Sequence, residues 1–356
     1  MSTQQIDQAA AEAFAEKMVA TMNGGFLALI TSVGHRTGLF DAMAKLPAST
    51  SAEIASAAGL NERYVREWLA TMTVGRIVEY DAGSKKYGLP PEHAASLTTA
   101  AGPGNMAAMM QFIPIMGNVE DELVESFRHG GGVPYSSFGR FHPMMAESSA
   151  QVFDATLVSS TLPLAPGLVD RLKSGIDVAD IGCGSGHAIN VMAKEFPNSR
   201  FTGIDFSEEG IAAARTEADR MGNANASFEV EDAALTDRPQ AYDFITTFDS
   251  VHDQAHPRKV LTNIANALRP DGTYLMVDIR ADSEVQNNMD HPLAPFLYAI
   301  STMHCMTVSL ALDGEGLGTM WGEQRARELL SEAGFGQVEV ESVEGDIFNS
   351  FYVCRK

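Results

Sequence analysis

Residues 178–186 read Val-Ala-Asp-Ile-Gly-Cys-Gly-Ser-Gly, an apolar strand that runs directly into three alternating glycines and then into a helical pattern. At Gly182, Gly184 and Gly186 the backbone can approach a ligand closely, where Cβ atoms would clash. Nineteen residues beyond Gly186 the next apolar run ends at Asp205, an acid suitably placed to bind two ribose hydroxyls. The pattern predicts a cofactor that contains a ribose.

The spacing of these glycines separates two kinds of cofactor. A dinucleotide site takes Gly-x-Gly-x-x-Gly, in which a helix N-terminus faces a pyrophosphate. This chain has Gly-x-Gly-x-Gly preceded by Asp180. A carboxylate at that position would repel phosphates but would attract an ammonium group. Asp180 therefore favours the methionine end of a sulfonium cofactor.

From residue 175 to the end, short apolar runs alternate with amphipathic helical stretches. This alternation predicts an α/β fold with a doubly wound sheet and helices on both of its faces. The last two strands have no helix between them and should form an antiparallel hairpin at the edge of the sheet. The predicted strands are 178–181, 200–205, 227–231, 243–248, 273–279, 338–342 and 348–354, and the predicted helices are 187–196, 208–221, 257–268 and 323–333.

The first hundred residues have a different organisation. Apolar residues at helical spacing from Gln4 to about Leu46, interrupted by Gly24-Gly25, predict two or three helices. Residues 51–70 then resemble a helix-turn-helix, with a turn at Gly59 and a helix capped by Asn61. Two short strand-like runs around a turn at 81–84 follow, as the wing of a winged helix would. We predict a winged-helix-like dimerisation domain over 1–100, a helical linker and substrate lid over 101–174, and a cofactor-binding domain over 175–356.

Composition excludes several classes of protein. The 356 residues carry a net charge of -21, of which residues 175–356 hold 13 basic and 29 acidic side chains. Such a surface opposes contact with a phosphate backbone, so we expect a small-molecule ligand and no nucleic acid. The first residues lack a basic signal-peptide region, and the apolar run 26–33 is too short for a membrane span. Three cysteines without metal-ligand spacing fit a reducing compartment, so we expect a cytoplasmic protein without disulfides, membrane partner or metal.

The ordered set of Asp180 to Gly186, Asp205 after the second strand and Glu231-Asp232-Ala233 after the third resembles the class I S-adenosylmethionine-dependent methyltransferases. The resemblance implies that Asp205 holds the ribose and that Phe206 flanks the adenine. It also implies that Asp232 accepts a hydrogen bond from the adenine amino group and that Ala233 supplies a backbone N–H, although Glu231 could take the place of its neighbour. We also assign Asp249, which follows the fourth strand, to the cofactor site.

The fourth strand leads into His252-Asp253, at an edge of the sheet that faces the cofactor. The pair is similar to the His-Asp of small-molecule O-methyltransferases with an N-terminal winged-helix dimerisation domain, in which the His is the general base. An attacking hydroxyl must lose its proton, and a His side chain can accept it near neutral pH. Two alternatives remain open for His252: it caps the next helix or packs beneath the pocket, or it holds a metal together with His256, four residues on.

Two further stretches are candidates for a substrate pocket. Tyr135 and His142 belong to an aromatic loop where a lid over a small molecule would lie, and His304 belongs to an apolar insertion before the last predicted helix. Either stretch could instead be plain core. Cys183 is interpreted as a filler at the glycine turn, and Trp321 as a packing residue.

The resulting hypothesis is a homodimeric enzyme that transfers a methyl group from S-adenosylmethionine to a small acceptor, most simply at a hydroxyl. Methylation of nitrogen or carbon is an alternative that would need His252 less. A winged-helix regulator that senses S-adenosylmethionine is the alternative from a different class. Its candidate recognition helix carries two basic and two acidic residues over 61–68, which is a poor composition for a DNA-reading helix.

Overall fold

The computed structural model describes residues 6–356 of the chain. These residues form two compact units, one extending to Ile115 and the other from Met116 to Lys356. The predicted beginning of the first helical segment at Gln4 lies outside the described residues.

The first unit is helical apart from one small hairpin. Helix α3 (Ser51–Ala58) begins with a capping box in which Thr50 and Glu53 satisfy each other's backbone donors, and it ends at Gly59 with a φ of 67°. Asn61 caps the following helix by accepting from the Arg63 N–H. The helix-turn-helix and wing predicted from the sequence are therefore confirmed. The elements are α1 (Gln8–Arg36), α2 (Leu39–Ala44), α3 (Ser51–Ala58), α4 (Glu62–Val74), β1 (Glu79–Asp81), β2 (Lys86–Gly88), α5 (Pro91–Leu97) and α6 (Met106–Met109).

Helix α1 runs without a break through Gly24-Gly25, so the predicted interruption there is wrong. A glycine in a helix costs about 1 kcal/mol relative to alanine but removes no backbone hydrogen bond, and a 29-residue helix tolerates two of them. The C-terminal part of α1 packs into the unit, where the Trp68 indole donates a 2.9 Å hydrogen bond to the Ile30 carbonyl. From Ile6 to Gly24, in contrast, every residue is exposed.

Alternating strands and helices make up most of the second unit. Its helices are α7 (Phe112–Gly117, which contains the boundary between the units), α8 (Glu120–His129), α9 (Phe141–Val152), α10 (Leu168–Ser174), α11 (His187–Glu195), α12 (Glu208–Met221), α13 (Pro257–Ala267), α14 (Ala294–Ile300), α15 (Met306–Ala311) and α16 (Gly322–Glu332). Its strands are β3 (Asp177–Ile181), β4 (Arg200–Asp205), β5 (Ala226–Val230), β6 (Tyr242–Phe248), β7 (Leu268–Ile279), β8 (Gln337–Glu341) and β9 (Asn349–Arg355).

These strands form one seven-stranded sheet in the order β5-β4-β3-β6-β7-β9-β8. The first five strands in that order are parallel, and β9 runs antiparallel to both β7 and β8. The doubly wound sheet with a terminal antiparallel hairpin is therefore confirmed. Strand β7 begins at Leu268, five residues earlier than predicted. Apolar clusters cover both faces of the sheet. Because β3, β4, β6 and β7 are parallel, their carboxyl ends meet at one edge of the sheet, and polar groups there lie close together.

Candidate active site

The three glycines after β3 have positive φ angles, of 75° at Gly182, 53° at Gly184 and 70° at Gly186. The structure gives them different surroundings. A Cβ on Gly182 would meet the Ser250 side chain at 2.6 Å, and one on Gly186 would meet Ala214 at 2.5 Å. A Cβ on Gly184 would meet no atom within 4 Å. The outer glycines thus allow close packing of the turn, while the middle one borders open space.

Asp205, at the end of β4, is fixed to this glycine turn. Its Oδ2 accepts a 2.8 Å hydrogen bond from the Gly184 N–H, and its Oδ1 accepts one of 2.8 Å from the Ser207 N–H. Burial raises the pKa of the carboxyl, and the two backbone N–H groups partly oppose that shift. Each oxygen retains a second lone pair, so the carboxylate can still accept from a pair of vicinal hydroxyls.

Asp180 lies inside the sheet and is only 2% exposed. Burial raises the pKa of its carboxyl to about 8, against the opposing effect of a 2.9 Å hydrogen bond donated by the Thr246 hydroxyl to Oδ1. A carboxyl with this pKa is mainly protonated near pH 7, and a cation that binds beside it would favour the charged form. This environment fits the ammonium group that the sequence pattern assigns to Asp180.

The turn after β5 distinguishes its two acids. Arg238 holds Glu231 in an ion pair and also bonds Glu229, so Glu231 is already occupied. Asp232 accepts a 2.8 Å hydrogen bond from the Ala234 N–H, and Ala233 is 9% exposed. Phe206 is 54% exposed beyond the end of β4. These positions leave Asp232 rather than Glu231 able to meet an adenine, with an exposed aromatic ring available to flank it.

His252 lies beyond β6 and is 3% exposed. Its Nδ1 lies 2.7 Å from Oδ1 of Asp278, a fully buried residue near the end of β7. Because an ionised carboxylate can only accept, Nδ1 carries the proton and Nε2 is the atom that can take one. Strands β6 and β7 are neighbours, with Phe248 opposite Val277, and this pairing brings the two residues together.

A second acid and a thiol also lie close to the His252 ring. Nε2 lies 3.4 Å from Oδ1 of Asp253, and a His252 nitrogen, an Asp253 oxygen and Cys305 Sγ all lie within 4.8 Å of one another. Burial acts to lower the pKa of His252, but Asp278 and Asp253 together raise it well above its ordinary value. His256, in contrast, is exposed and immediately precedes α13, so the two histidines do not share a helix face.

Asp249 occupies the turn between β6 and His252 with a φ of 48°, a conformation that costs energy in a residue with a side chain. Burial, followed by the nearby Asp278, raises the pKa of its carboxyl to about 7, while His252 opposes the shift. Its Oδ1 is buried without a hydrogen-bond partner in the described part of the chain. A buried carboxyl oxygen without a hydrogen-bond partner is a natural acceptor for a polar ligand group.

The loop that contains Tyr135 is clamped to the helical stretch 294–311. A Cβ on Gly132 would meet the Thr307 carbonyl at 1.9 Å, and the Val133 N–H donates a 2.9 Å hydrogen bond to the Thr307 hydroxyl. The same stretch contains a π-helical turn, Ser301–Cys305, which carries His304. Irregular helical turns of this type are frequent at functional sites.

Tyr135 consequently lies at the centre of an aromatic cluster. Its ring centroid is 4.6 Å from His142, 5.3 Å from His304 and 6.2 Å from Phe206. Burial raises the pKa of the phenol, and the charges of Asp253 and Asp205 add to the shift. Burial lowers the pKa of His304 to about 4, which makes it a neutral, stacked wall residue 3.8 Å from the Phe141 ring.

Sequence reasoning missed several residues of this site. In the sequence Asp278 is one residue of an apolar strand and carries no motif of its own. Its contact with His252 depends on the pairing of β7 with β6. Cys305 follows His304 in the apolar insertion and was not singled out, although its thiol lies within 4.8 Å of a His252 nitrogen. Trp321 was interpreted as packing, and it is indeed 6% exposed, but its indole also donates a 3.0 Å hydrogen bond to Asp278. Cys183 is packed at the glycine turn, and burial raises its pKa well above the ordinary thiol value.

Two protein families match separate parts of the chain. Residues 25–99 match the Rv2258c-like winged HTH domain, and residues 172–334 match a methyltransferase domain. Together with the seven-stranded sheet and its glycine turn, these matches define the architecture of a class I S-adenosylmethionine-dependent methyltransferase with an N-terminal winged-helix domain.

Individual relatives agree with this class. Over 157 residues the chain is 25% identical to the malonyl-[acyl-carrier protein] O-methyltransferase of Bacillus cereus, a match that covers 44% of this chain and about half, 52%, of the length of that curated relative. The structure of human N-acetylserotonin methyltransferase in complex with S-adenosylmethionine superposes with a TM-score of 0.71 at 19% identity, covering 100% of this chain and 99% of the other. Mitomycin 7-O-methyltransferase gives 0.71 at 19% identity, covering 98% and 100%. The two structural matches establish the shared fold.

Proposed function

We propose that this protein transfers the methyl group of S-adenosylmethionine to a hydroxyl of a small molecule, with His252 as the proton acceptor. The observation that carries the proposal is the 2.7 Å contact between His252 Nδ1 and Asp278, which leaves Nε2 as the basic atom. The cofactor supplies an electrophilic methyl group, so the chain itself must position the acceptor and remove its proton.

The cofactor half of the proposal is supported by residues at the ends of four strands. Asp180 would face the ammonium group, and Asp205 would accept from both ribose hydroxyls. Asp232, Ala233 and Phe206 would surround the adenine. Gly184 borders the open space, with Gly182 and Gly186 shaping the turn beneath it. Asp249 would offer its unpaired oxygen to the methionine end of the cofactor.

The acceptor half rests on the aromatic cluster. Tyr135, His142 and His304 would line the acceptor pocket, and the segment 101–174 that carries the first two would act as linker and lid. The contact between Gly132 and Thr307 supports this role, because it holds the loop of Tyr135 against the helical stretch that carries His304. A flat acceptor would contact ring faces on one side and His252 on the other.

A base must be neutral, whereas the carboxylates of Asp278 and Asp253 favour the imidazolium form of His252. The sulfonium charge of a bound cofactor would act in the opposite direction and favour the neutral ring. On this argument the base becomes competent when the methyl donor is present. Methylation of nitrogen or carbon would depend less on a proton acceptor such as the Asp278–His252 pair, so a hydroxyl is the preferred acceptor.

The regulator alternative is disfavoured by charges on α4. Arg63 forms an ion pair with Glu67, and Arg66 forms one with Glu62, at i,i+4 spacing on the same helix. The basic side chains that would contact a phosphate backbone are thus neutralised within the helix. We propose that the winged-helix-like region, residues 1–100, serves dimerisation and binds no nucleic acid.

The exposed half of α1 supports a homodimer. Phe14, Met18, Met22 and Phe26 recur every four residues and are each 49–64% exposed. A helical segment of this length without packing is marginal in water, since most helix stability comes from burying an apolar face. A second copy of the same helix would cover this stripe.

The described residues contain one helical stretch, Ala294–Ala311, that is long and apolar enough to cross a membrane, with a mean hydropathy of 1.2. It carries His304 and Cys305, which are buried beside His252 and the aromatic cluster. We propose that this stretch is a wall of the acceptor pocket, and that the protein acts in the cytoplasm without a membrane partner.

Two measurements test the proposed function. Calorimetry should give one S-adenosylmethionine or S-adenosylhomocysteine site per chain and no comparable binding of NAD. Incubation with the methyl-labelled cofactor and a panel of phenols, hydroxyquinones and aliphatic alcohols should yield a labelled ether for at least one class. Preferential binding of NAD, or label that appears only on amines, would contradict the proposal.

A further inference from the structure

Three side chains of types that bind metals lie together around His252. An imidazole nitrogen of His252, a carboxylate oxygen of Asp253 and the Cys305 thiol lie within 4.8 Å of one another. His252 and Cys305 are buried, and Oδ1 of Asp253 is inaccessible to water and lacks a hydrogen-bond partner in the described part of the chain. Nothing in the methyl-transfer chemistry requires a thiol at this position.

The spacing fits a tetrahedral ion. Zinc lies about 2.0–2.2 Å from imidazole nitrogen and carboxylate oxygen and about 2.3 Å from thiolate sulfur. Tetrahedral angles then place N and O about 3.4 Å apart, and N and S about 3.6 Å apart. The 3.4 Å between His252 Nε2 and Asp253 Oδ1 already meets the first value. The thiol, at no more than 4.8 Å, has about 1 Å at most to move.

The surroundings of His252 are also those of a metal ligand. Histidines that bind metals usually donate their other N–H to a carboxylate, which fixes the tautomer and the ring orientation. Asp278 accepts from Nδ1 at 2.7 Å and is itself held by the Trp321 indole at 3.0 Å. The lone pair of Nε2 is thereby directed away from Asp278, toward the side on which Asp253 lies.

The charge balance favours a cation as well. Oδ1 of Asp278 lies 2.7 Å from Nδ1 of His252, and Oδ1 of Asp253 lies 3.4 Å from Nε2. Two carboxylates beside one imidazole leave an excess of negative charge in a buried region. A divalent ion would offset it.

We propose that His252, Asp253 and Cys305 form a site for a borderline-soft divalent ion of the Zn²⁺ class. The donor set of nitrogen, oxygen and sulfur selects zinc-like ions over Mg²⁺ or Ca²⁺, which take oxygen ligands. Three protein ligands leave a fourth coordination position for water or another ligand. An ion bound there occupies the lone pair that the proposed methyl transfer needs, so metal and proton compete for Nε2. This competition rests on the proposed function, whereas the binding site itself does not.

The test of binding uses Co²⁺ as a spectroscopic probe and requires neither cofactor nor acceptor. Chelator-treated protein titrated with Co²⁺ should bind one ion per chain and develop visible d–d bands with a thiolate-to-cobalt charge-transfer band, both lost on addition of Zn²⁺. In Cys305→Ser the charge-transfer band should disappear, and affinity should fall at least tenfold. Asp253→Asn, at a partly exposed position, provides a second variant and should also weaken binding. Cys354→Ser alters a buried thiol on β9 and should leave the spectrum unchanged.

Absence of stoichiometric Co²⁺ and Zn²⁺ binding, or a charge-transfer band that survives in Cys305→Ser, would overturn the site. To test the competition between metal and proton, the rate of methyl transfer is measured with and without Zn²⁺. The rate of each variant with Zn²⁺ is compared with the metal-free rate of the same variant. Zn²⁺ should inhibit the parent and inhibit Cys305→Ser less; equal inhibition of both would overturn the competition. A chain that binds cobalt through Cys305 yet methylates nothing would refute the proposed function and leave the metal site standing.

Discussion

The Trp321 indole donates a 3.0 Å hydrogen bond to Oδ1 of Asp278. The same carboxylate oxygen accepts from His252 Nδ1 at 2.7 Å and from the Ile279 backbone N–H at 2.8 Å. Asp278 is fully buried, so these three donors determine its orientation. We therefore expect Trp321 to position His252 through Asp278.

Asp278→Asn should lower the rate of methyl transfer by about 10²–10⁴-fold, because an amide can hold His252 in the wrong tautomer. Removal of a negative charge should also lower the pKa of His252, since Asp278 is the first of the groups that raise it. The rate–pH profile of the parent should rise with pH, with an apparent pKa above the ordinary histidine value, and the rise should move to lower pH in the variant.

Trp321→Phe keeps the ring but removes one of the three donors to Asp278. The loss of one hydrogen bond, about 0.5–1.5 kcal/mol, should reduce the rate by roughly 2- to 10-fold. Cofactor affinity from calorimetry should not change. An unchanged rate and an unchanged pH profile would show that Trp321 only fills space.

His252→Ala tests the proton acceptor directly. Cofactor affinity should remain nearly intact, because the imidazole would face the acceptor. The rate of transfer to a hydroxyl should fall by about 10²–10⁴-fold, which is the usual contribution of acid–base catalysis. The loss should shrink for more acidic phenols, which need less help in losing a proton. Rates within a few-fold of the parent across phenols of different acidity would show that His252 is structural.

Asp205→Ala removes the acceptor for the ribose hydroxyls and also releases the Gly184 and Ser207 N–H groups. We expect cofactor binding to weaken by about 1.5–3 kcal/mol, or tenfold or more. Asp205→Asn retains one acceptor oxygen and should lose less. Thermal unfolding without cofactor separates the effect on the turn from the effect on binding; a folded Ala variant with parental affinity would show that the acid is misassigned.

Cofactor binding should be linked to proton release at Asp180. Its carboxyl is mainly protonated below its pKa of about 8 in the free protein, and a bound ammonium group favours the charged form. Affinity should therefore rise with pH from 6 to about 7.5, by at most about tenfold per pH unit for one proton. Calorimetry in buffers of different ionisation enthalpy measures this release. Asp180→Asn should abolish the release, and a parent that releases no proton would contradict the assignment.

Charges placed in the exposed stripe of α1 should dissociate the proposed homodimer. Light scattering should report a dimer for the parent and a monomer for Met18→Glu/Met22→Glu. Ala20→Glu is the matched control, because at 100° per residue it lies on the opposite face of the helix from the centre of the stripe. A monomeric parent, or equal dissociation by the control, would count against this interface.

The fold could be predicted because its signals are local. The glycine turn, the alternation of strands and helices and the caps at Asn61 and Gly59 are each readable within a few residues. Most predicted strands and helices of the second unit begin and end within two residues of the observed ones, and β7, which begins five residues early, is an exception. The break at Gly24-Gly25 was wrong because glycine weakens a helix without ending it, and α1 continues through both residues.

The amino-acid sequence determined the class of cofactor site, since Asp180, Gly184 and Asp205 follow strands whose carboxyl ends must meet at one edge of a doubly wound sheet. Only the tertiary structure decided which groups surround His252. Asp278 is 26 residues away and Cys305 is 53 residues away along the chain, and no periodicity relates them. The pairing of β6 with β7 brings Asp278 beside His252. Cys305 lies on the helical stretch against which the Gly132 loop packs. Such contacts depend on strand register and helix packing, which are properties of the assembled chain and of no local pattern.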